Sequence, residues 1–214
     1  ETYKVHIKGR NVLQLNGGKH RTYEGTIPTC LSPLALLDMN SLLTAVETQS
    51  ERVPVDKPWE TDHAQEYDHQ TLKQWLLANS WTKDAQQLIM SACRSLFCVE
   101  PSELSFLYFL WYTKSAGGPF RLMEADNGAQ ERKFVGGSHQ VSLRLAEELG
   151  EGTVILNCPV TAIDYSASSS SQSGIVKVSC ATGQEFSAAH VVVALAPSLY
   201  ARLTFCPPLP PKKQ

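Results

Sequence analysis

The sequence predicts an α+β fold, and three observations carry that expectation. Apolar residues recur at helical spacing in several stretches between Leu34 and Tyr112. The last third instead carries short apolar runs separated by turn residues. The composition, 43% hydrophobic and 19% charged over 214 residues, is that of an ordinary folded protein. A chain of this length can bury a core as one domain or as two small ones.

Residues 1–30 read as short extended pieces, with alternation in Tyr3-Lys4-Val5-His6-Ile7 and a turn at Gly17-Gly18. Residues 31–135 read as mostly helical. Leu34–Thr48 places Leu37, Leu42 and Val46 among its apolar positions, and a proline-punctuated loop follows through Pro54, Pro58 and Asp62. Thr71–Asn79 is a short amphipathic helix, and Asp68 is expected to cap a helix beginning near Gln70. Thr82 is the expected N-cap of the next helix, in which Leu88, Ala92 and Leu96 recur at fourfold spacing beside Ile89, Cys93 and Phe97. Pro101-Ser102-Glu103 is expected to restart a helix that is apolar nearly all round from Leu104 to Tyr112, which implies burial on more than one side. Gly117-Gly118 ends it.

From residue 136 to 214 the pattern changes to a β-meander preceded by one helix, His139–Leu149, closed by Gly150. Expected strands are Val154-Ile155-Leu156, Val160–Tyr165, Ile175–Val178 and His190–Leu195, the last as a central strand buried on both faces. The serine tract Ser168–Ser171 is expected to form a hairpin tip.

The charge balance, 19 Lys+Arg against 21 Asp+Glu, argues against a nucleic-acid partner. No apolar run reaches the length of a membrane span, and the start carries no signal-peptide pattern. The six cysteines form no C-x-x-C and are expected as buried free thiols. Asp62, His63, Glu66, Asp68 and His69 cluster locally, but their spacing fits no zinc helix motif and no metal site is expected. Phosphate-loop, nucleophile-elbow and dinucleotide fingerprints are missing; Gly150-Glu151-Gly152 follows a helix and precedes a strand, the reverse of a phosphate-binding turn. The opening on Glu1 and the Pro-Pro-Lys-Lys-Gln close are read as the ends of a piece of a longer polypeptide.

One stretch is more specific. Phe109-Leu110-Trp111-Tyr112-Thr113-Lys114-Ser115-Ala116-Gly117-Gly118, followed by Asn127-Gly128-Ala129-Gln130-Glu131-Arg132-Lys133-Phe134-Val135-Gly136-Gly137-Ser138, closely resembles the middle of flavin-dependent monoamine oxidases. Glu1–Val5, Pro159-Val160 with Ile163-Asp164, and Cys206-Pro207-Pro208-Leu209-Pro210 fit the same frame, so the resemblance spans the chain.

The resemblance implies a helical and mixed substrate-domain segment joined to strands of a Rossmann-like FAD-binding domain. Residues 1–30 would then enter the substrate domain, 31–135 form its mostly helical part, and 136–214 belong to the FAD-binding domain. It implies a central part of an FAD-dependent amine oxidase that deaminates primary amines to aldehydes with O2, releasing ammonia and hydrogen peroxide. Substrate-cavity positions fall on Gln130, Met123, Leu88, Ser91, Ser95 and Leu96, with Ala92 beside them and Pro28 at the entrance loop; Val160 falls where the backbone meets the adenine end of FAD. Met123 and Leu88 would serve equally well as plain core. No catalytic residue of the family is assigned within this segment.

Departures from the family bear on substrate. Ser91, Ala92 and Ser95 stand where bulky groups line the cavity helix, Leu43 replaces a tryptophan and His139 a glycine, so a wider pocket and a larger amine are expected. The resemblance further implies a mitochondrial outer-membrane location, held by a tail outside this segment, and a homodimer for the parent. The segment alone is expected to hold no flavin. Two alternatives stand beside this reading: a polyamine or L-amino-acid oxidase of the same family, and a truncated, non-catalytic interaction protein.

Overall fold

The structure is a computed structural model and describes residues 1–167 and 174–211. The serine tract, Ser168–Ser171, lies outside the described residues. The chain divides into two units, Glu1–His139 and Gln140–Gln214.

The first unit opens on β1 (Thr2–Lys4), β2 (Asn11–Leu13) and β3 (Arg21–Tyr23). Helices α1 (Pro33–Glu51), α2 (Ala64–His69), α3 (Leu72–Asn79), α4 (Lys83–Phe97), α5 (Phe106–Ser115) and α6 (Pro119–Met123) follow, then β4 (Arg132–Phe134). β2 and β3 form an antiparallel hairpin. β1 pairs with β4 in antiparallel register, Thr2 opposite Phe134 and Lys4 opposite Arg132. This pairing draws the segment after α6 onto the start of the chain, and Lys4 Nζ bridges Glu131 Oε1 at 2.9 Å.

The caps explain where the helices start. Ser32 accepts from the Ala35 amide ahead of Pro33, a residue whose fixed φ suits the first helical turn. Thr71 and Gln74 satisfy each other's backbone amides in a capping box, at 3.2 and 2.8 Å. Thr71 therefore begins α3, and Asp68, expected as the cap, sits inside α2 and accepts from Ser105 Oγ at 2.7 Å. Thr82 caps α4 as expected, taking the Ala85 amide at 3.3 Å. The next cap is Ser105 rather than Ser102: Pro101–Leu104 forms a turn whose carbonyls receive the Leu72 and Lys73 amides, both at 2.9 Å, so the chain cannot become helical until Phe106.

α5 packs against α1, α2, α3 and α6, which agrees with its nearly all-round apolarity. The core gathers around it: Leu42 and Val46 of α1, Leu72, Trp75 and Leu76 of α3, Cys93 of α4, and Phe106, Phe109 and Leu110 of α5. The Trp75 and Phe106 rings stack with centroids 4.6 Å apart, and Tyr67 meets Phe106 edge-on at 5.6 Å. One acidic side chain lies within this layer. Asp38 of α1 is fully buried, and its Oδ2 accepts from the Trp81 amide (2.9 Å), the Thr82 amide (2.6 Å) and Thr82 Oγ1 (2.8 Å). The Thr82 hydroxyl thus donates to Asp38 while accepting from Ala85, so α1 holds the start of α4 in place.

The second unit carries nearly all of α7 (His139–Leu149) and a four-stranded sheet of β5 (Val160–Asp164), β6 (Val176–Cys180), β7 (Glu185–Ala188) and β8 (Thr204–Cys206). The order is β7-β6-β5-β8; β5 to β7 form an antiparallel meander, and β8 runs parallel to β5. Gly150 takes a positive φ of 85° just beyond α7, a conformation that costs glycine little.

Two expected strands are corrected. Val154–Leu156 and His190–Leu195 are irregular, with Leu156 77% and Val192 88% exposed. A strand forms only beside a partner that takes up its backbone groups, and none of the described strands pairs with either run. The cysteines are all free, as expected, but only Cys93 and Cys180 are buried, and Cys98 and Cys206 are exposed.

Candidate functional site

The first unit holds a cavity of about 590 Å³, within the range of ligand sites. One wall is α4, whose Leu88, Ala92, Ser95 and Leu96 recur at intervals of four, three and one and so share a face. The β2–β3 hairpin faces this helix through Asn11 and Tyr23, with Gly25–Pro28 continuing the wall. Asn16 fixes the two together: its side chain donates to Asp84 Oδ1 at 2.8 Å and its amide to Gln87 Oε1 at 2.7 Å. α1 contributes Met39 and Leu43, the segment after β1 contributes Val5–Ile7, and α6 contributes Phe120 and Met123. Glu124, Ala125 and Asp126 complete the lining.

The resulting surface is more apolar than polar, with Asn11, Tyr23, Ser95, Glu124 and Asp126 among its polar side chains. Burial pushes the Tyr23 phenol above its usual value, with Cys30 adding to the effect, so it remains a neutral hydroxyl. Lys4 reaches both Glu131 and Asp126, the latter at 3.4 Å. The hydrogen bond to Glu131, followed by that to Asp126, raises the lysine value, while the Lys4 contact lowers that of Glu131. Both members of the clasp are therefore charged across the neutral range.

Of the residues singled out in the sequence, Pro28, Leu88, Ala92, Ser95, Leu96 and Met123 line this one cavity. Ser91 and Gln130 do not. Ser91 is exposed on another face of α4, where its carbonyl accepts from Ser95 Oγ at 3.1 Å. Gln130 is exposed in the turn after α6, with its amide bonded to the Glu124 carbonyl at 3.1 Å. That turn requires Gly128, because a Cβ there would collide with Glu124 backbone and side chain. His6, Ile7, Tyr23, Met39 and Phe120 line the cavity without having been singled out. Phe120 stands three residues before Met123, the helical interval that could have flagged it.

Val160 belongs to the second unit. It opens β5 opposite Cys180 of β6, whereas the parallel ladder with β8 begins only at Ala162. The β8 side of β5 at Val160 therefore has no paired strand, and the residue is 37% exposed. Free backbone at a strand end fits a main-chain contact to a cofactor. His63, Glu66, Asp68 and His69 are engaged elsewhere: His63 with Glu66 at 3.1 Å, His69 with the Gln65 carbonyl at 2.6 Å, and Asp68 with Ser105. Among the described residues no group of three or more His, Cys, Asp or Glu is placed to hold a metal ion, and no helix is long and apolar enough to cross a membrane.

Comparison with known proteins supplies the family. Residues 5–214 match the family described as flavin containing amine oxidoreductase. The chain is 38% identical over 213 residues to horse (Equus caballus) amine oxidase [flavin-containing] A, covering 100% of this chain and 39% of that protein. It is 38% identical over 210 residues to dog (Canis lupus familiaris) amine oxidase [flavin-containing] B, covering 98% of this chain and 39% of the relative. A solved structure of wild-type putrescine oxidase bound to putrescine superimposes with a TM-score of 0.84 at 26% identity, over 100% of this chain and 46% of that one. The chain thus spans about two-fifths of the length of the curated relatives it matches. With the match running from residue 5 to the last residue and the fold shared with putrescine oxidase, this chain belongs to the flavin-containing amine oxidoreductase family.

Proposed function

We propose that this chain forms the central part of a flavin-dependent amine oxidase that converts primary amines to aldehydes with O2, releasing ammonia and hydrogen peroxide. The observation that carries the reading is the cavity: six positions assigned from the family resemblance converge on one largely apolar space. Amine oxidation needs the neutral amine, since a hydride leaves the carbon next to an ammonium with difficulty. Leu88, Ala92, Leu96, Phe120 and Met123 supply surroundings that disfavour the charged form. Ser95 and the neutral Tyr23 hydroxyl offer hydrogen bonds without adding charge. FAD, when bound, supplies the acceptor for the hydride equivalent and the site of reoxidation by O2. Val160 is the residue of this chain that would meet its adenine end through the backbone, and Gln130 is proposed to approach the amine in the longer protein.

Ala92 and Ser95 are small, which favours a bulky amine over a benzylamine-sized one. A homodimeric parent at the mitochondrial outer membrane goes with the monoamine-oxidase reading. A second reading, oxidation of diamines, draws on Glu124 and Asp126 in the cavity lining and on the likeness to putrescine oxidase. A carboxylate would hold the distal ammonium while the reacting amine stays neutral.

The test uses the flavin-loaded longer polypeptide and an amine series graded in size. We expect peroxide and aldehyde in equal amounts, with bulky monoamines preferred in kcat/KM. A clear preference for diamines over monoamines of equal length, abolished by Glu124→Gln, would select the second reading. Loaded protein that turns over none of these amines would overturn both.

A further inference from the structure

Cys180 at the end of β6 and Cys158, two residues before β5, are a pair of thiols that amine oxidation does not use. Val160 lies opposite Cys180, and the Ala181 amide donates to the Pro159 carbonyl at 2.9 Å, so the antiparallel ladder continues one residue outward. That places Cys158 opposite Thr182. Its Sγ lies 3.7 Å from Thr182 Oγ1 and donates to Gln184 Oε1 at 3.2 Å. Side chains alternate between the faces of a sheet, so Cys158 and Cys180 are diagonal neighbours on one face. Cys158 is also the group that acts most strongly on the Cys180 thiol, as that placement requires.

The two environments differ. Cys180 is buried, at 7% exposure, and Cys158 is partly open to solvent. Its interaction with the neighbouring Cys158 thiol, assisted by burial, pushes the Cys180 thiol up to about 11. Cys180 therefore keeps its proton at neutral pH, and Cys158 is the accessible nucleophile.

We propose that Cys158 and Cys180 are a peroxide-sensitive dithiol, a modification site on the β5–β6 ladder that closes to a disulfide. The Cys158 thiolate attacks one oxygen of hydrogen peroxide; the O–O bond breaks, and the departing hydroxide takes up a proton as water. This leaves a sulfenic acid on Cys158. The Cys180 sulfur then attacks the Cys158 sulfur, the S–O bond breaks, and the hydroxide released takes the Cys180 proton as a second water. Two thiols lose two electrons and two protons, and one peroxide becomes two waters. The proposal does not depend on the amine-oxidase reading, because peroxide can be added directly.

The test treats the reduced full chain with one equivalent of hydrogen peroxide, blocks the remaining thiols and maps the digest by mass spectrometry without reduction. The expected product is a peptide pair joining Cys158 to Cys180, with both residues lost from the alkylated pool. Cys180→Ser is expected to accumulate a dimedone-trapped sulfenic acid on Cys158, and Cys158→Ser to leave Cys180 unmodified. Oxidation confined to the exposed Cys98 or Cys206, or disulfides built on either of them while Cys158 and Cys180 remain fully alkylated, overturns the proposal. The unsubstituted chain gives this answer even where a variant fails to fold.

Discussion

Phe106→Ala is expected to lower the unfolding free energy of the first unit by about 3–5 kcal/mol, the usual cost of truncating a fully enclosed phenylalanine. Phe106 has no exposed surface and touches Trp75, Tyr67 and Phe109 at ring-centroid distances of 4.6, 5.6 and 6.3 Å. Those rings come from α2, α3 and α5, which cannot all move inward to fill the space left behind. The stacked partner adds to the loss, since aromatic pairs contribute about 0.5–1.5 kcal/mol beyond area burial. All four tryptophans lie within the first unit, so urea unfolding followed by tryptophan fluorescence reads this unit alone. Tyr108→Ala on the same helix, at a position 46% exposed, is the matched control and should cost less than about 1 kcal/mol.

Asp38→Ala is expected to cost about 3 kcal/mol by the same measurement. The substitution removes one acceptor and strands three donors: the Trp81 amide, the Thr82 amide and the Thr82 hydroxyl. The amides belong to the start of α4, where a carboxylate also meets the positive end of the helix dipole. Asp38→Asn separates the two contributions. Its amide oxygen can still accept at the Oδ2 position, and its NH2 would occupy the Oδ1 position, which has no hydrogen-bond partner. We expect Asn to recover at least half of the loss. An alanine variant as stable as the parent would show that Thr82 caps α4 without help from α1.

These two residues also mark how much could be read from the chain. α1, α3, α4 and α7 were legible because a helix and its cap are local; Thr82 and the Leu88–Leu96 spacing lie within one short stretch. The role of Asp38 was not legible, because its donors lie 43 and 44 residues away. Strand pairing has the same non-local character. His190–Leu195 has the composition of a buried strand, yet no described strand pairs with it. Gly-Gly punctuation and apolar periodicity could not place Ser105, rather than Ser102, at the head of α5, since that start depends on hydrogen bonds between the Pro101–Leu104 turn and α3.

The cavity shows a similar division. Leu88, Ser95, Leu96, Met123 and Pro28 come from three separate regions of the chain and were connected only through the family resemblance. Tyr23 joins them because Asn16 ties the hairpin to α4, and His6 and Ile7 follow β1, which pairs with β4 about 130 residues away; neither contact has a local signal. The Cys158–Cys180 pair was equally hidden: a separation of 22 residues says nothing until the register of β5 on β6 is known.

The central claim is that the face of α4 carrying Leu88, Ala92, Ser95 and Leu96 bounds the space in which an amine is held. Its most direct test is Ala92→Trp in the flavin-loaded longer polypeptide, with kcat/KM measured across amines of increasing size. A tryptophan there fills part of the 590 Å³ cavity. The account predicts a fall of at least about tenfold for the bulkiest amine, consistent with the 1–3 kcal/mol that steric contacts in apolar pockets supply. The smallest amine should be least affected, and flavin content should be unchanged. An unaltered kcat/KM for every amine, in folded and flavin-replete variant protein, would contradict it.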